Sequence, residues 1–343
     1  MLAGGGGAAN TGVKNGFEIF EITTNGENVI GESVTRFYTG EYSVYSLAAR
    51  QAGNNNVPHR VLLAAGHNEF CQVYSLSLER WVVRWEKALL ISLYFRDRNN
   101  SSPRENLHRR SNGVPAGSGQ GARVEEQQET KLVFKTEPYK KVQIDFNAKE
   151  PYGKVVRISL NGKFLASGGD DGHLRVFSFP ELTKVHDFAT HDKEIDDIDF
   201  SPDSSRICSI SKDKRAIVWD VKKGKKHAEL GWDCPNGVKY LFKRVKFGCV
   251  EGDTKKYKVF TISNPIGSSK VPSFLHRWNT QSYTVEGKVA RYDTALHIVL
   301  FLKLCFSYGL AYSALAVSDN GTFVATGTMS EVIWTQMGFY VLF

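Results

Sequence analysis

A histidine, an aspartate and two serines stand close together at His191, Ser209, Ser211 and Asp213. Carboxylate, imidazole and hydroxyl are the three groups with which proteins build an activated nucleophile. No strand-to-helix elbow of the G-x-S-x-G kind accompanies them. The same groups can instead close a buried series on themselves, in which the carboxylate orients the imidazole and the imidazole serves a strand hydroxyl beside Trp219. The structural role is therefore the expectation for His191, Ser209 or Ser211, Asp213 and Trp219. A second candidate for chemistry is AGGGGAANTGVKNG at residues 3–16. A phosphate cradle follows the template G-x-x-x-x-G-K-[ST]. Gly7 to Gly12 fit its glycines, but Val13 occupies the lysine position, and Lys14 is followed by Asn15 and Gly16 in place of a hydroxyl and a helix. The run is expected to be a shaped loop that enters a strand at Phe17 to Ile22.

The elements that must hold these residues are written twice in succession. VVRISLNGKFLASGGDDGHLRVF and IDDIDFSPDSSRICSISKDKRAIVW align with Ile158 on Phe200, Asp171 on Asp213 and Phe177 on Trp219, each pair 42 residues apart. Each copy is an apolar run, a turn at Asn161-Gly162 or Pro202-Asp203, a second run, a tight acidic turn and a third run ending in an aromatic residue. A period of this length closing on Trp219-Asp220 is the WD-repeat signature, four strands to a propeller blade. The first copy ends in Phe177 without an evident His–Asp pair, so its blade is expected to rely on packing.

Composition sets the outer bounds. A chain of 343 residues, 41% hydrophobic and 12% aromatic, has material for a substantial core and is not disordered throughout. Its five cysteines, Cys71, Cys208, Cys234, Cys249 and Cys305, form no C-x-x-C pair and suit free thiols in a reducing compartment. The formal charge of +8 permits acidic partners without choosing among them. No cleavable signal is visible at the N-terminus.

Further fragments of the repeat follow the same pattern. Residues 61–78 carry one, with Ala64-Ala65-Gly66 expected in the inner strand and Cys71 to Leu76 as the next. Lys222 to Lys226 is expected at a solvated hairpin tip. Residues 240–278 form a looser blade with strands at Val259 to Ser263 and Phe274 to Trp278. SALAVSDNGTFVATGTMSE repeats the pattern again, Phe323 matching Phe164. Three segments depart from it. RWVVRWEKALLISLYF, within 79–95, fits no repeat. Arg96 to Arg123, with six arginines against Asp97 and Glu105, is expected to be a disordered basic inter-strand loop. LHIVLFLKLCFSYGLAY is the most apolar stretch, but Lys303 interrupts it where a spanning helix needs roughly 20 apolar residues. Its 298–312 portion is expected to be an atypical insertion from an intron or alternative exon.

The glycine-rich run, followed by RVLLAAGHNEFCQVYSL and the blade pair, resembles the family of prolactin regulatory element-binding protein, the ER-resident WD-repeat exchange factors for Sar-type GTPases that start COPII coat assembly. The resemblance implies a cytosolic propeller whose glycine loop projects from the first blade toward the GTPase. It places Asn10, Thr11 and Gly12 on a bend whose carbonyls hold potassium in the yeast relative, and Val13 on an apolar residue that intrudes near the nucleotide. Asn10, Lys14 and Asn15 would contact the GTPase, and Lys14 stands where the yeast pattern has proline. It further implies localisation on the cytosolic face of the endoplasmic reticulum, COPII coat components as further partners and membrane attachment through a C-terminal anchor that this chain lacks.

The expected fold is all-β, a single WD-repeat propeller domain over 1–343 of about five and a half blades that need not close. The expected function is guanine-nucleotide exchange on a Sar-type GTPase, with no covalent chemistry, no small-molecule substrate and no cofactor besides potassium. A plain protein-interaction scaffold is the alternative, and a DNA-binding transcription regulator a further one. Only diffuse basic charge supports the last, because no aromatic platform or recognition helix accompanies it.

Overall fold

Side chains on both faces of the repeat strands are apolar, so each sheet must be covered twice, and stacked blades are the solution the chain adopts. The structure, a computed structural model, describes residues 2–4, 14–24, 26, 29–52, 60–83, 129–267, 271–286, 290–291, 312–328 and 332–336. The first sheet contains β1 (Leu2–Gly4), β2 (Asn15–Thr24) and β3 (Val29–Gly40). The second contains β4 (Ser46–Gln51), β5 (Arg60–Gly66), β6 (Phe70–Val83) and β7 (Glu129–Gln143). The two WD copies form the third sheet, β8 (Gly153–Ile158), β9 (Phe164–Gly169), β10 (His173–Ser178) and β11 (Lys184–Ala189), and the fourth, β12 (Ile195–Phe200), β13 (Arg206–Ser211), β14 (Ala216–Asp220) and β15 (Lys225–Glu229). The fifth has β16 (Tyr240–Val250), β17 (Asp253–Pro265), β18 (Phe274–Trp278) and β19 (Ala290–Arg291). The sixth has β20 (Tyr312–Val317), β21 (Phe323–Thr328) and β22 (Val332–Gln336).

Every sheet is an antiparallel meander in chain order, the arrangement of propeller blades. The twenty-two strands among the described residues fill four complete blades and two three-stranded ones. The all-β expectation holds: the one helical turn among the described residues is the 3-10 turn Pro235–Gly237. Contacts divide the chain into a larger unit, 1–77 with 135–343, and a smaller one, Leu78–Phe134, whose described residues belong to β6 and β7. The basic segment 96–123, most of 79–95 and all of 298–312 except Tyr312 lie outside the described residues.

Alternation along each strand divides its side chains between two neighbours. In the fourth blade, Ile207, Ile217 and Trp219 join Val155, Ala166 and Leu174 of the third. Cys208, Ile210, Ala216 and Val218 face Phe242, Val245, Val259 and Trp278 of the fifth. The second and third blades meet in the same way through Leu62, Ala64, Cys71 and Leu165, as do the fifth and sixth through Ile262, Leu275, Leu315 and Val324. Burial pushes the free Cys71 thiol up to about 12 and raises Cys208 as well, so both stay protonated and behave as small apolar side chains.

One strand assignment changes. Ala64-Ala65-Gly66 is not innermost, because β4 precedes β5 in the sheet and packs on β8. The alternation in Ser46–Gln51 is interrupted by Ala48-Ala49-Arg50, which hid that strand from pattern reading. The expected hairpin tip at Lys222 to Lys226 is exposed at the β14–β15 junction, with Lys222 to Gly224 in the turn, Gly224 at φ 61°, and Lys225 and Lys226 opening β15.

Between blades, the innermost strands are held by side chains. Asp197 on β12 accepts the Val245 amide of β16 at 3.2 Å and the Arg157 guanidinium of β8 at 2.8 Å. Two residues on, Asp199 accepts the Phe247 amide at 2.8 Å and Lys246 at 3.0 Å. Lys154 of β8 joins Asp196 and Glu194 at 2.5 Å each. Both partners advance along the chain together, so β8, β12 and β16 run parallel to one another, and corresponding turns of successive blades lie at the same end.

Candidate functional site

The glycine-rich loop is bordered by a short hairpin. Leu2, Ala3 and Gly4 pair with Glu18, Phe17 and Gly16. A side chain on Gly16 would run into the carbonyl oxygen of Phe37 on the neighbouring strand, so only glycine brings β2 this close to β3. Asn15 is buried at 6% exposure, donates from Nδ2 to the Gly40 carbonyl at 3.2 Å and accepts from Ser43 Oγ at 3.3 Å. The Ser43 carbonyl in turn meets His67 Nδ1 at 2.9 Å. Burial lowers the His67 pKa, which keeps the ring neutral and able to donate from Nδ1. Phe17 stacks on Phe37 at 5.3 Å and meets Tyr74 edge-on at 5.4 Å. Polar contacts thus run from Asn15 through the β3–β4 connection into the β5–β6 turn.

Of the sequence-derived site residues, the structure places two. Asn15 lies at the base with its side chain turned inward, where it ties the start of β2 to Gly40 and Ser43. Lys14 is exposed, with its ammonium 5.1 Å from the centre of the Tyr38 ring. Asn10, Thr11, Gly12 and Val13 lie outside the described residues. Ser43 and the anchoring role of His67 were not read from the sequence, although His67 lies within the RVLLAAGHNEFCQVYSL run that carries the resemblance.

The polar series in the fourth blade forms as expected, with Ser209 as its hydroxyl. His191 Nδ1 and Asp213 Oδ2 are 2.8 Å apart, His191 Nε2 and Ser209 Oγ 2.9 Å, and Trp219 Nε1 donates to Ser209 Oγ at 3.1 Å. Burial lowers the His191 pKa against the opposing pull of Asp213, so the ring is neutral, with Nδ1–H donated to the carboxylate and Nε2 accepting the serine proton. The Ser209 hydroxyl is buried and already engaged by both His191 and Trp219, so it is not free to serve a substrate. Ser211 serves elsewhere, donating to the Lys193 carbonyl at 3.0 Å. The fifth blade has a lock of its own that the sequence did not reveal: Trp278 Nε1 donates to Thr261 Oγ1 at 2.9 Å, with His276 Nδ1 at 3.4 Å from the same oxygen. Trp278-Asn279 at a strand end was the available signal. The third blade has a His173–Asp187 pair at 2.8 Å, but it lies on the outer strands and locks no hydroxyl.

Replacing Asp213 by alanine leaves a buried imidazole N–H without an acceptor, and the expected loss of stability is about 1–3 kcal/mol. Chemical denaturation measures it; a variant as stable as the parent would contradict the lock.

Comparison with known proteins places these features in a family context. The WD domain, G-beta repeat family matches residues 153–178 and 182–220, the third blade and most of the fourth. The chain is 28% identical to mouse guanine nucleotide-exchange factor SEC12 across 99% of its own length and 72% of the relative's. For the rat protein of the same name the identity is 27% with the same coverage. SEC12-like protein 1 of Arabidopsis thaliana is 32% identical over 32% of this chain and 29% of its own. The alignment with the mammalian proteins therefore extends well beyond the generic repeats.

Proposed function

From the premise of a WD-repeat chain that resembles SEC12 exchange factors along its length, we propose that this protein is a guanine-nucleotide exchange factor for a Sar-type small GTPase, acting at the cytosolic face of the endoplasmic reticulum in COPII vesicle formation. The observation that carries the reading is the anchored base at Asn15 and Gly16. A loop that displaces a nucleotide must be presented by a mount that does not yield, and this base is held by a paired hairpin, a buried asparagine and an aromatic cluster.

Exchange breaks no bond. The factor binds the nucleotide-free GTPase more tightly than the loaded form, and each 1.4 kcal/mol of that difference weakens nucleotide affinity about tenfold. Val13 supplies an apolar side chain where a nucleotide site needs polar contacts. Its glycine and asparagine neighbours let the backbone approach closely, and exposed Lys14 offers a charge to the GTPase surface. By the resemblance, the carbonyls of Asn10, Thr11 and Gly12 would hold a monovalent cation such as potassium, and backbone oxygens suit such an ion.

Val13→Ala tests the reading. The expected result is GDP release from the Sar-type GTPase slowed about tenfold, equivalent to 1.4 kcal/mol of lost differential binding, with an unchanged melting temperature. A parent protein with no exchange activity would support a plain scaffold. Normal exchange by the variant would remove the proposed role of Val13.

A further inference from the structure

The fifth blade opens where the fourth is closed. In the fourth, Ser211 at the end of β13 donates to the Lys193 carbonyl and accepts from the Asp213 amide at 3.1 Å, while His191 enters from the preceding connection. Thr261 corresponds to Ser209, since each accepts the indole N–H of its blade, so Ser263 corresponds to Ser211. Ser263 has no exposed surface, and its hydroxyl has no hydrogen-bond partner among the described residues.

The connection ahead of the fifth blade brings no histidine. It brings Trp232, whose ring lies 4.4 Å from that of His276 and 5.2 Å from those of Tyr240 and Phe274. Between this connection and the blade is an open cleft of about 340 Å³, lined by Trp232, Tyr240, Phe242 and the buried Ser263, together with Lys214 and Lys239. Both lysines are exposed, and neither takes part in a salt bridge among the described residues. Asp233, next to Trp232, is not part of the lining.

Three features define an occupant. Aromatic walls accept an apolar side chain and are the residue types that anchor protein contacts. Two unpaired ammonium groups attract carboxylates. The Ser263 hydroxyl, which has no partner among the described residues, offers a hydrogen bond to a polar group that reaches it. The cleft is open to solvent and has room for one or two side chains, which suits a segment of chain. We propose that it docks a short acidic peptide segment of a partner protein, with an apolar side chain against Trp232 and Phe242, carboxylates at Lys214 and Lys239, and a polar group bonded to Ser263. This goes beyond the exchange reading and does not depend on it.

The test pans a random nonapeptide library against the whole chain and against Lys214→Glu/Lys239→Glu, with Trp232→Ala as a second variant and thermal melting to confirm that each is folded. The expected result is enrichment of sequences in which an aromatic or aliphatic residue neighbours aspartate or glutamate. Their affinity should fall at least about tenfold, or 1.4 kcal/mol, in either variant. Ser263→Ala should melt higher than the parent, having lost an unpaired hydroxyl, yet bind the selected peptides more weakly. Absence of enriched peptides, enrichment without acidic residues, or equal binding by the parent and both cleft variants would overturn the proposal.

Discussion

Asp197→Ala is expected to cost about 3 kcal/mol of folding stability, because it removes one partner of a buried ion pair and strands a backbone donor in the same step. The Asp197 carboxylate is 2% exposed and joins three blades: Arg157 of the third donates to Oδ1, its own strand belongs to the fourth, and the Val245 amide of the fifth donates to Oδ2. Inner strands of neighbouring blades are joined here through side chains, so the carboxylate does between blades what a carbonyl does within a sheet. Asp197→Asn separates charge from size. It keeps the volume and one acceptor oxygen, but presents an amide N–H to a second donor, so it should recover part of the loss. Denaturant midpoints of the three proteins decide the matter, and an alanine variant within 0.5 kcal/mol of the parent, well under the loss expected for a buried pair, would show that the blades hold together by apolar packing alone.

The same residues show how far the fold was legible. The third and fourth blades could be read directly because two copies stand at constant spacing and the second carries His191, Asp213 and Trp219 together. The role of Asp197 and Asp199 could not be read from IDDIDF. Nothing in that run says that alternate carboxylates will accept amides 48 residues away on a strand of another blade. β4 was missed for a related reason: a short strand with two alanines and an arginine gains its identity from packing on β8. The fifth blade obscured its lock by moving the histidine from the preceding connection onto β18. At the loop, the glycines and Asn15 were visible, whereas Ser43 acts through a hydroxyl and a carbonyl and His67 through one ring nitrogen, and such single contacts leave no pattern in sequence.

The relocated histidine gives a second large effect, this one in pH. His276 has no exposed surface, packs among Trp232, Phe242, Phe274 and Trp278, and has no partner for Nε2 among the described residues. Burial pushes its pKa down to about 4, partly opposed by a hydrogen bond with Thr261. In the unfolded chain the ring titrates near 6.5. Between these values the unfolded state binds a proton that the folded state refuses, so stability is complete above pH 6.5 and declines as pH falls toward 4. The full loss is about 3.5 kcal/mol, from about 1.4 kcal/mol per pH unit. His191 and His67 are lowered by burial as well and add in the same direction. His276→Phe preserves an aromatic ring in an aromatic cluster and has nothing to protonate. Measured by urea denaturation from pH 7 to pH 4.5, the parent should lose stability steeply while the variant loses distinctly less. Parallel curves would mean that His276 gains access to water or a partner before the blade unfolds, and the buried neutral ring would then not be what closes the core of the fifth blade.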